Sequence, residues 1–126
     1  MPTRSPHALI QNSLLAEALA NAQIGALLID PSGRYVAAND YACTLTGYSA
    51  DEILAVSVGE LNPASGLAAQ FEQVVAGIRE IGHATIERKD GTPLSITYRA
   101  SRTRVGGVEY VIALVWKRDQ RTSSAM

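Results

Sequence analysis

The dipeptide Asp90-Gly91 stands between two runs rich in Ile, Thr and Tyr, 84–89 and 92–102. A two-residue Asp-Gly link is the strongest short-range signal for a β-hairpin, because a type I′ turn needs positive φ at both central positions. A second turn at Gly106-Gly107 leads into a third apolar run, Val108–Lys117. The last third of the chain therefore reads as an antiparallel meander. Such a sheet buries at least one face, and the segments upstream must supply its cover.

Upstream, Ser5-Pro6 reads as N-cap and first residue of a helix, where proline's missing N–H costs nothing. Ile10, Leu14, Leu15, Ala18, Leu19 and Ala22 follow at helical spacing and form one apolar stripe. Ile24–Ile29 and Arg34–Ala38 flank Asp30-Pro31-Ser32-Gly33, the pattern of strand, turn, strand. Asn39 supplies an N-cap for a two-turn helix over 40–46, stopped at Gly47; Ser49 and Glu52 have capping-box spacing and open another short helix. Val56–Pro63 takes no assignment. Leu67, Phe71, Val74, Val75 and Ile78 give the clearest helical period, and Gly82 is placed at its C′ position.

The chain has 126 residues, enough for one domain with a real core. Eleven Lys+Arg against twelve Asp+Glu leave a net charge of −1, which argues against a direct nucleic-acid or anionic-membrane surface. Apolar runs such as Val111–Trp116 are too short to span a bilayer, no leader precedes Pro2, and the lone Cys43 suits a reducing compartment. The expectation is a soluble cytoplasmic domain. Its divisions are read as 1–22 (amphipathic helix), 23–119 (domain) and 120–126 (polar tail).

Asp30-Pro-Ser-Gly33, Asn39-x-x-Ala42, Thr46-Gly-Tyr-Ser49 with Asp51, Glu52 and Leu54, Arg88-Lys-Asp-Gly91, Gly107 and Arg118-Asp119 occur in an order that resembles a PAS domain, over roughly residues 20–119. The resemblance implies an α+β fold: a five-stranded antiparallel sheet in the order 2-1-5-4-3, helices on one face, and the amphipathic N-terminal helix outside it. It also implies sensing or partner binding rather than turnover. Bacterial-type signal transduction linked to transcription regulation or a histidine kinase is the expected setting.

In that family small molecules lie between the sheet and the long helix. Alignment with flavin-binding members places Ala84, Ile86, Ile96, Tyr98, Ala100, Val111, Ala113 and Val115 on the inner face, with Phe71, Val75 and Ile78 as the opposite wall. This lining suits a small, mostly apolar ligand oriented by the Tyr98 hydroxyl, and a filled core is the alternative. Tyr110, Ile112, Leu114 and Trp116 then point outward. Together with Ile10, Leu14, Leu15 and Leu19 they predict a homodimer interface. The effector is expected in the same longer chain or as a separate protein.

No cofactor is expected. The light-sensing flavin subgroup carries a cysteine ahead of the long helix, where this chain has Val58-Gly-Glu-Leu-Asn-Pro63, and Ile86, Ile96 and Val115 replace its polar contacts. A haem-binding gas or redox sensor is the lesser alternative, with His83 as the ligand: His83 falls one residue out of phase with Ala84 and Ile86 and would need a bulge at Gly82 to turn inward, and His7 lies near the N-terminus. Spacing for a zinc site is missing. Asp51 and Glu52, adjacent on a helix, do not face each other, and no nucleophile or phosphate-loop motif is present, so an enzyme is not expected.

Overall fold

The structure is a computed structural model and describes residues 17–60 and 66–118. Its elements, in chain order, are β1 (Gly25–Ile29), β2 (Tyr35–Ala38), α1 (Asp40–Thr46), α2 (Ala50–Leu54), α3 (Leu67–Val75), β3 (Ile81–Glu87), β4 (Pro93–Val105) and β5 (Val108–Lys117). The strands form one antiparallel sheet in the order β2-β1-β5-β4-β3, as the family resemblance implies. The long central pairing of β4 with β5 runs from Ile96↔Lys117 to Val105↔Val108.

The turns show why the chain folds back where it does. At Gly106-Gly107 both residues have positive φ, 58° and 81°, and Val105 pairs with Val108. This is the two-residue I′ geometry. Asp90-Gly91 differs from expectation: only Gly91 has positive φ, its N–H donates to the Arg88 carbonyl, and the Arg88 N–H donates to the Thr92 carbonyl. The turn is type I with a glycine bulge, because the Asp90 carboxylate accepts from the Thr92 N–H and hydroxyl and holds Asp90 at negative φ. The first hairpin repeats this device, with Gly33 at φ 90° and Asp30 accepting from Ser32 and Arg34.

Asn39 is more than a cap. Its Oδ1 accepts from the Ala42 N–H of α1 and from the Ala26 N–H of β1, and its Nδ2 donates to the Ile24 carbonyl. One side chain thereby pins α1 to the first strand, where a Cβ on Gly25 would lie 3.1 Å from the Ala42 Cα. The Ser49–Glu52 capping box opens α2, and Lys89 pairs with the same Glu52 at 2.7 Å.

The third helix ends earlier than its apolar period suggests. Gly77, at φ 80°, donates to the Val74 carbonyl, and the Ile78 N–H donates to that of Gln73. That pair of bonds is a Schellman stop. Gly82 is therefore not the terminator; it lies within β3. Residues 56–58, unassigned from sequence, run beside 33–35, with Val58 donating to the Gly33 carbonyl and Arg34 bridging Ser57. Residues 17–21 are helical; Ser5, Pro6, Ile10, Leu14 and Leu15 lie outside the described residues, as do Asp119 and the tail. Among the described residues no helix is long and apolar enough to cross a membrane.

Candidate functional site

The sheet register stacks small residues beneath α3. Gly25, Val115, Tyr98 and Gly82 form one row across four strands, and Leu27, Ala113 and Ala100 form the next. The space over Gly25 is taken by Ala42 and that over Gly82 by the Tyr98 ring, while Ala100 and Ala113 leave volume that the helices do not fill. A cavity of about 90 Å³ results, walled by the sheet, by Phe71 and Val74 of α3, and by Ile53 and Val58.

Eight of the predicted lining residues reach this cavity: Phe71, Ile86, Ile96, Tyr98, Ala100, Val111, Ala113 and Val115. Val75, Ile78 and Ala84 do not. Val75 is 41 % exposed on the outer side of α3, and Ile78, which follows the stop at Gly77, is 75 % exposed. Val74, 4 % exposed, takes the inward position instead. Ala84 is half-buried beside the core and lies off the cavity wall.

The Tyr98 hydroxyl, expected to orient a ligand, is already engaged. It donates to the Gln70 Oε1 of α3, whose Nε2 donates to the His83 carbonyl at 3.3 Å. A Cβ on Gly82 would overlap both the Tyr98 hydroxyl and Cζ, so only glycine admits the ring across β3. Helix and two strands are thus tied through one tyrosine. Burial pushes the Tyr98 phenol up, opposed by nearby Arg79.

Tyr35 is the lining residue that sequence reasoning missed. It pairs with Ile29 on the inner face, is 7 % exposed, and its hydroxyl has no partner among the described residues. Its inward position comes from a register shift between Leu28 and Ile29, which inserts Val36 as an extra residue. Strict alternation from the inward Ala38 would have turned Val36 in and Tyr35 out. Burial pushes the Tyr35 phenol up to about 12.

The outer face carries Tyr110, Ile112, Leu114 and Trp116, all half-buried, and Leu19 is half-buried too. His83 is exposed on that same side, with its Nδ1 3.0 Å from the Thr97 hydroxyl. Cys43 is half-buried on α1, and burial pushes its thiol up. Among the described residues no three His, Cys, Asp or Glu side chains cluster as a metal site would require.

An antiparallel sheet ordered 2-1-5-4-3, with its helices closing a cavity on one face, defines the PAS-type fold. The PAS domain profile matches residues 23–117, and the chain belongs to that family. Solved structures agree. A domain of a sensory box sensor histidine kinase/response regulator from Geobacter sulfurreducens is 25 % identical, with TM-score 0.69, covering 86 % of this chain and 96 % of that one. The PAS domain of an HTR-like protein from Haloarcula marismortui is 20 % identical (TM-score 0.73; 89 % and 95 % covered). A light-oxygen-voltage domain studied with a flavin analogue is 24 % identical (TM-score 0.69; 88 % and 89 % covered). No curated protein matches the chain.

Proposed function

We propose that this PAS domain is a sensory, non-enzymatic module of a signal-transduction system, taking a small, mostly apolar ligand between the sheet and α3 and acting as a homodimer. The apolar cavity carries the reading: Ala100 of β4 and Ala113 of β5 face a helix that is tied to the sheet through Gln70. A ligand that favours one placement of α3 shifts the balance between packings, and the effector reads that balance at the termini. The half-buried outer row of Tyr110, Ile112, Leu114 and Trp116 supports pairing of two copies. The similarity to a sensor histidine kinase domain supports a signalling partner in cis or in trans.

Haem and flavin do not suit the site. His83 sits on the opposite face against Thr97, and Ile86, Ile96 and Val115 give flavin ring atoms no donors. A volume of about 90 Å³ is far below what either ring system needs. The same small volume favours a second reading, a protein-interaction module whose core is nearly filled. Native mass spectrometry of freshly purified protein separates the two: a retained small mass supports the ligand reading. Bare protein that also takes up no xenon under pressure overturns it, since a dry apolar cavity admits that gas.

A further inference from the structure

We infer that the cavity selects a small neutral molecule bearing one hydrogen-bond acceptor, a compact ketone, aldehyde or ether, with Tyr35 as the donor. This rests on the reading of the cavity as a ligand site. The wall holds few polar groups, and most are already committed. The Tyr98 hydroxyl donates to Gln70, and Gln70 spends its amide on the His83 carbonyl. The Thr46 hydroxyl donates to the Ala42 carbonyl at 2.9 Å and accepts from the Tyr48 N–H at 3.3 Å. Tyr48 is half-buried and Glu87 is exposed. Tyr35 alone combines burial to 7 % with a hydroxyl that no described residue bonds.

The Tyr35 hydroxyl keeps a trace of accessible surface, so water can meet it there, and a ligand that displaces the water must supply an acceptor or forfeit that bond. The chemistry narrows the ligand from both sides. Among the described residues no Arg, Lys or His lines the cavity, so a carboxylate there would lack a positive partner. A pure hydrocarbon would leave the Tyr35 hydroxyl unsatisfied. Burial keeps the phenol protonated to about 12, so it donates throughout the physiological range. The volume of about 90 Å³ lies below the roughly 150 Å³ that accommodates benzene, which limits the ligand to about four to six heavy atoms.

Matched probes test this: xenon, cyclopentane and cyclopentanone, titrated into the wild-type protein and into Tyr35→Phe while methyl chemical shifts of Val111 and Val115 are followed. The ketone should bind Tyr35→Phe roughly three- to ten-fold more weakly than wild type, with cyclopentane equal or tighter in the variant. Tyrosine labelled at Cζ gives a second readout in wild type alone: the Tyr35 signal should move with cyclopentanone and stay still with cyclopentane. Ketone affinity unchanged by Tyr35→Phe, or a Cζ signal indifferent to the ketone, overturns the assignment of Tyr35 while leaving the cavity intact. Failure of all three probes to bind wild type overturns the cavity as a ligand site, and this inference with it.

Discussion

The two faces of the sheet are made by the same strands and differ in where the bulk lies. Along β5 the inner positions are Val111, Ala113 and Val115, and the outer ones are Tyr110, Ile112, Leu114 and Trp116. The small set is buried to 8 % exposure or less and still encloses free space; the large set is only half-buried. The void is thus a matter of side-chain volume at alternate positions, not of loose packing. A strand apolar on both sides is also one that expects cover on both sides. One face stores room for something small, and the other presents surface for something large.

Charge placed against the outer face should have the largest effect. Changing Leu15 and Leu19 together to Glu puts uncompensated charges into the proposed interface, at about 2 kcal/mol or more each, and should weaken a dimer at least roughly 100-fold by sedimentation. Wild-type protein that is already monomeric at about 50 µM removes the outer face as a pairing surface.

Inner-face substitutions should leave assembly alone and speak through stability. Tyr35 has an ordinary phenol pKa of 10.0 when unfolded and about 12 when folded. Because the folded value is raised, its contribution is fully present below pH 10 and is lost as pH rises through 12. The loss is at most about 3 kcal/mol. Wild type should therefore lose stability across that window more steeply than Tyr35→Phe, measured by denaturant melts at each pH; parallel slopes refute the burial of this hydroxyl.

Asn39→Ala removes three side-chain bonds that pin α1 over the inner face, and should lower stability by about 2 kcal/mol with the oligomeric state unchanged. Smallest of all, Ala113→Leu adds three carbons to a space of about 90 Å³ and should shift stability by less than about 1 kcal/mol while abolishing xenon uptake. A drop of about 1–3 kcal/mol would mean that the inner face is as tightly filled as an ordinary core.

Features set by neighbours in sequence were legible without a structure: the Asn39 and Ser49–Glu52 caps, the Asp30–Gly33 and Gly106-Gly107 turns, and the alternation that sorts β5 into two faces. What could not be read depends on residues meeting from afar. Ile78 keeps the helical period going past the point where Gly77 adopts positive φ and ends the helix, and the apolar Val75 sits on its outer side. Gln70 looks like an ordinary exposed helix residue until Tyr98 crosses β3 to meet it. Tyr35 enters the cavity wall only because Val36 bulges, and nothing in Arg34–Ala38 announces a bulge. The Asp90-Gly91 turn misleads in another way, since the dipeptide suits two turn types and the Thr92 hydroxyl decides between them.

The ring of Tyr98 lying over Gly82 also sets an order of events in sequence change. Any side chain at position 82 must displace the tyrosine, whereas a smaller residue at position 98 leaves Gly82 untouched. The two positions are therefore coupled, and their substitutions should be strongly non-additive. A lineage of this domain can vary at 82 only after it has varied at 98. Along that route it first gives up the Tyr98 bond to Gln70, so the freedom of one strand position is bought with the anchoring of the helix above it.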